Sequence, residues 1–90
     1  MTQDEVVASL KRLLSGRVRV PVARAQALEL DTPLLQDGLG LDSLDCVELM
    51  LGMEDEFELV FDDSEEDWMH HFSCLDTLSQ LVLLAKGGLA

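Results

Sequence analysis

Val6, Val7, Leu10, Leu13 and Leu14 recur at helical spacing behind Thr2 and Glu5, whose separation matches a capping box. The pattern predicts a first helix over about 3–15, with Gly16 as its stop. From Arg17 to Asp42 the periodicity lapses, interrupted by Pro21 and Pro33 and punctuated at its end by Gly38 and Gly40. A structureless stretch of that length is unusual inside a compact domain. Val20, Val22, Leu28, Leu30, Leu34, Leu35 and Leu39 are therefore expected to dock part of it on the core, with a helical turn near Leu34, unless the segment serves a function of its own.

A second helix opens near Ser43 and runs to about Glu56 or Phe57, with Gly52 as its only weak former. A short third helix is expected within 62–71, where Asp62, Asp63 and Ser64 supply caps and Glu65, Glu66 and Asp67 suit the positive end of the helix dipole. Trp68 and Phe72 are expected to pack it down. Thr77 and Gln80 repeat the capping-box spacing before Leu78, Leu81, Val82, Leu84 and Ala85, and Lys86 with Gly87 closes a final helix.

The second helix has two apolar sides. At about 100° per residue, Cys46, Leu49, Met50, Met53 and Phe57 fall in one narrow arc, the stripe that a helix buries. Leu44, Val47 and Leu51 project roughly opposite, beside Glu48, Glu54 and Asp55, and cannot share that core. Scattered exposed apolar residues are ordinary on a solvated face. Three of them at i, i+3 and i+7 amid acids also describe a docking surface, on which carboxylates steer a basic partner and the apolar groups settle into its groove.

Composition supports helices. Apolar residues make up 48% of the 90 residues while aromatics are 4%, with no Tyr, so Leu, Val and Met fill the interior. One domain spanning 1–90 is expected at this length. The net charge of −12 repels phosphate backbones and anionic bilayers, which makes nucleic acid and lipid headgroups poor candidate partners. The charge has an address: residues 29–76 hold 16 of the 18 acidic groups and no Lys or Arg, whereas the first 28 residues hold five of the six basic ones. Thr2 to Glu5 lack the basic start of a secretory signal and no stretch approaches a membrane span, so the expectation is a cytosolic monomer with Cys46 and Cys74 reduced.

Ser43 stands at the entrance of the second helix. A Ser in that place is ordinarily an N-cap whose hydroxyl accepts a backbone N–H. The run Gly40-Leu41-Asp42-Ser43-Leu44-Asp45, followed by Val47-Glu48-Leu49 and Glu54-Asp55-Glu56-Phe57, resembles the signature of acyl and peptidyl carrier proteins. In that family the Ser of the Asp-Ser-Leu triplet receives 4′-phosphopantetheine. The resemblance implies an antiparallel four-helix bundle with a long first loop and a short third helix. It assigns the arm to Ser43, with Asp42 and Leu44 as its immediate neighbours. It also implies a partner face of Leu44, Asp45, Val47, Glu48, Leu51, Glu54 and Asp55, with fold-back of the acyl chain against Met50 and Met53.

No local His, Lys or Cys suggests an activating base for Ser43, so the residue reads as a substrate and the chain as a non-enzyme. The expected partners are a phosphopantetheinyl transferase and acyl-transferring, ketosynthase or acyl-activating enzymes with basic docking surfaces. The expected role is to carry acyl thioesters in fatty acid, polyketide or specialised lipid assembly. An aminoacyl or peptidyl carrier is the near alternative, and a non-catalytic acidic adaptor the distant one.

Other signals are weaker. The acidic run from Asp62 has Asp67 and Ser73 where a calcium loop needs Gly and Glu, and His70, His71 and Cys74 lack a fourth protein ligand for zinc, so no metal is expected. The stretch 62–76, with Trp68, His70 and His71, departs from common members of the family and implies a specialised carrier.

Overall fold

Thr2 starts the first helix as the sequence predicts. In the computed structural model, which describes residues 2–35, 38–60 and 68–87, the Glu5 N–H donates to Thr2 Oγ1 at 3.3 Å and the Thr2 N–H returns to Glu5 Oε1 at 3.0 Å. The Thr2 backbone and hydroxyl bonds hold the Glu5 carboxyl below its ordinary pKa. Helix α1 (Gln3–Arg17) passes through Gly16, the expected stop, by one further residue. The chain turns instead at Arg19, which is left-handed at φ 66°, and the Val20 N–H folds back to the Leu14 carbonyl at 3.0 Å.

The long connection contains a helix that the sequence pattern placed elsewhere. Helix α2 (Val22–Ala27) follows Pro21, and the turn expected near Leu34 is not helical. Ala23, Ala25 and Ala27 favour a helix directly behind a proline that presets φ. Leu34 has other obligations: Pro33 holds Thr32 away from helical geometry, and the Leu34 N–H donates to the Ser73 carbonyl at 2.9 Å. Val20, Leu28 and Leu34 are buried and Leu35 and Leu39 pack against the core, but Val22 and Leu30 remain exposed.

Helix α3 (Ser43–Phe57) matches its predicted bounds. It ends at Glu58, left-handed at φ 54°, with the Leu59 N–H donating to the Glu54 carbonyl at 3.0 Å. Its predicted core stripe is inside: Cys46, Leu49, Met53 and Phe57 are buried and Met50 is half-buried against them. Gly52 contributes more than low propensity. A methyl there would stand 3.1 Å from Leu13 Cδ2 and 3.2 Å from Arg17 Cγ, so its missing side chain is what lets α1 lie close.

Of the expected third helix, Trp68–His71 forms α4. The caps assigned to Asp62, Asp63 and Ser64 and the dipole role of Glu65–Asp67 lie outside the described residues, as does the Trp68 side chain. Phe72 is buried. Helix α5 (Leu75–Gly87) begins two residues before the predicted Thr77 cap. Thr77 lies within the first turn, its hydroxyl within bonding distance of the His71 and Cys74 carbonyls, and Gln80 donates to Asp76 Oδ1 at 3.0 Å.

Helix α1 is the hub, packing against α2, α3 and α5, while α4 lies on α5. The described residues form an all-helical bundle whose core joins Val6, Leu10 and Leu14 to the α3 stripe and to Leu75, Leu78 and Val82. Two polar links cross it. Gln3 Nε2 donates to Asp76 Oδ1 at 2.9 Å and to the buried Ser79 Oγ at 3.1 Å, and Lys86 Nζ caps the Phe57 carbonyl at 3.0 Å.

Candidate functional site at the start of helix α3

The site is built on a pinned loop. The Leu41 N–H donates to the Leu34 carbonyl at 3.0 Å, and the Gly40 N–H to the Leu35 carbonyl at 2.8 Å. Gly40 is left-handed at φ 86°, and a side chain on Gly38 would run into the Pro33 carbonyl. Leu41 is buried, so the loop is anchored immediately before the helix begins.

Asp42, not Ser43, caps α3. Its Oδ1 accepts the Asp45 N–H at 2.8 Å, and Asp45 Oδ2 accepts the Asp42 N–H at 3.3 Å, a reciprocal box. Asp or Asn caps as well as Ser does, so the two neighbouring candidates were equivalent by residue type. Ser43 is therefore the first helical residue. Its side chain is exposed and makes no hydrogen bond among the described residues. The N–H groups of Ser43 and Leu44 belong to the first turn and have no intrahelical acceptor.

Beyond Ser43, the two sides of α3 separate as their spacing predicts. Leu44, Val47 and Leu51 are 69%, 38% and 46% exposed. Glu48 is exposed beside them, without a hydrogen bond or ion pair among the described residues. The other acids of the predicted partner face are differently placed. Asp45 is half-buried and engaged in the capping box, and Glu54 is half-buried and also engaged. Asp55 is 80% exposed but accepts from Arg17 Nη2 at 3.1 Å. Arg12 Nη2 makes the equivalent contact to Glu56 Oε1 at 3.1 Å. No motif or spacing along the chain announces these arginine contacts. The only trace of them is the segregation of basic groups into the first 28 residues.

Cys46 belongs to the buried stripe on the other side of the same helix. Burial, and then the negative charges of Asp45 and Asp42, push its thiol up to about 11. Among the described residues no group of three or more His, Cys, Asp or Glu side chains is arranged to hold a metal ion. Among the described residues no helix is long and apolar enough to cross a membrane.

Residues 8–82 match the family described as the phosphopantetheine attachment site. The chain belongs to that family. Among similar proteins is the acyl carrier protein of Campylobacter concisus, 45% identical over 61 residues, which are 68% of this chain and 75% of that protein. The acyl carrier protein of Campylobacter curvus is 33% identical over the same shares of both chains. The mitochondrial acyl carrier protein of Neurospora crassa is 33% identical over 70 residues, 78% of this chain, but this chain spans only about half the length of that relative. The family's group is 4′-phosphopantetheine, held covalently. The start of α3 suits such a group: it has an exposed hydroxyl free of capping duty and two backbone N–H groups able to face a phosphate oxygen.

Proposed function

We propose that this attachment-family chain is an acyl carrier whose 4′-phosphopantetheine arm is joined to Ser43. The observation that carries the reading is the division of labour at the head of α3. Asp42 takes the capping role and leaves the adjacent serine hydroxyl, at the first helical position, exposed and without a hydrogen bond among the described residues, in the matched stretch and directly behind a loop fixed to the core. When bound, the arm supplies a terminal thiol on which acyl groups ride as thioesters.

The chain's own residues present and orient. Ser43 Oγ attacks the pantetheine-bearing phosphorus of coenzyme A, the pyrophosphate P–O bond breaks and adenosine 3′,5′-bisphosphate leaves; the hydroxyl proton goes to a base of the transferase, because no side chain among the described residues bonds the hydroxyl. The Ser43 and Leu44 N–H groups, in the first turn of α3, would hold the phosphate, whose charge the helix dipole favours. Leu44, Val47 and Leu51 provide the apolar contact with partner enzymes, and Glu48 the attraction to their basic surfaces. Fatty acid, polyketide or specialised lipid assembly is the pathway class in which such a carrier serves. The cytosol is the proposed compartment.

Intact mass after incubation with a phosphopantetheinyl transferase and coenzyme A tests this directly. The wild type gains one arm and Ser43→Ala gains none. A wild type left unmodified, under conditions that modify a control carrier, rejects the proposal.

A further inference from the structure

Arg17 leaves the end of α1 and crosses α3 at Gly52, where its Cγ would approach a methyl to 3.2 Å, and its guanidinium reaches Asp55 three residues further on. Asp55 lies at i+11 from Leu44 and i+4 from Leu51, at the far end of the exposed apolar row. Glu48 lies in the middle of the same row and has no cation beside it among the described residues. One acid of this face is thus already satisfied by the chain's own base, and another is open.

We infer that Arg17 is an intramolecular competitor for the docking face. By holding Asp55 it confines electrostatic recognition to the half of α3 next to Ser43. The inference rests on the proposed modification of Ser43, and its occupant is the transferase with a basic docking surface, chosen by charge complementarity with a chain of net charge −12. A basic partner approaching Leu44, Val47 and Leu51 gains from Glu48 at once. To gain from Asp55 it must displace a guanidinium already 3.1 Å away. The pair is exposed, at 40% and 80%, so it is a bias that a partner can overcome, not a lock. Arg17 thereby sets partner specificity: enzymes whose cations cluster near the serine lose nothing, and those that reach toward the C-terminal end of α3 pay for displacement.

The test is the rate of arm transfer, as kcat/KM, by a transferase that modifies the wild-type chain, at about 0.1 M and about 1 M salt. Arg17→Gln keeps the stem beside Gly52 and removes the charge, and circular dichroism confirms that each variant is folded. At the lower salt Glu48→Gln slows transfer and Arg17→Gln accelerates it, each by up to about fivefold, the equivalent of about 1 kcal/mol at about 1.4 kcal/mol per tenfold. Asp55→Asn alone changes the rate less than about twofold, and combining it with Arg17→Gln abolishes the acceleration. Arg17→Lys behaves as the wild type, and the differences shrink at the higher salt. If Asp55→Asn slows transfer as much as Glu48→Gln while Arg17→Gln is neutral, the inference is overturned with the function intact. If the wild type accepts no arm, both fall together.

Discussion

Cys46 and Cys74 are alike in the sequence and unlike in the fold. Cys46 is fully buried and its thiol titrates near 11, whereas Cys74 is half-buried, with its Sγ 3.6 Å from Thr77 Oγ1. The unfolded chain releases the Cys46 proton near 9.0 and the folded chain retains it to about 11. Between those values the folded state binds more protons than the unfolded one, so stability falls as pH rises through that window and is unaffected by this group below it. Urea midpoints measured across that range should drop in the wild type and drop less in Cys46→Val, the difference isolating this thiol from the lysines. Much at this scale was legible in the sequence: Ser43 stood out, and so did the exposure of Leu44, Val47 and Leu51. The cap did not, because Asp42 and Ser43 are adjacent residues with equal capping ability, and only the backbone decides which of them lies just outside the helix.

At the scale of elements, long periodic segments were readable and short ones were not. Helices α1 and α3 each run for 15 residues, enough turns for an apolar stripe to declare itself. Helix α2 has six residues, fewer than two turns, and owes its existence to Pro21, local alanines and contact with α1. The start of α5 differs from the expected Thr77 cap because a Thr-x-x-Gln spacing also occurs inside a helix, where Gln80 bonds Asp76 instead of returning to a cap. Gly52 carries information that no propensity scale holds, since its value is the approach of Leu13 and Arg17. Gly52→Val forces those neighbours outward and should destabilise the fold by about 1–3 kcal/mol despite removing a glycine from a helix, read as a lower urea midpoint. A midpoint equal to or above that of the wild type would show that α1 yields freely.

Across the whole molecule, charge and topology work against each other. Eighteen acids against six bases make the folded state self-repelling, and the pairs Arg12–Glu56 and Arg17–Asp55, both exposed, relieve little of it. Screening should therefore stabilise: raising salt from about 0.01 M to about 0.15 M is expected to raise Tm, and a fall would mean that attractive pairs dominate. The sequence located this imbalance but not its partial cancellation, since an ion pair between residues 38 apart depends on how α1 crosses α3. Nor could it foretell how the long connection is tied down, by Leu34 to the Ser73 carbonyl and by Asp76 to the Leu30 carbonyl, at 2.9 and 3.0 Å. Those bonds, with that of Leu41 to Leu34 at 3.0 Å, form a load path from the ground beneath Ser43 to the head of α5. Whatever pulls on the serine pulls through them on the C-terminal helix, and through Gln3 and Ser79 on the first. With the proposed arm on Ser43, tension at its tip would reach α5 through these bonds instead of acting on the loop alone.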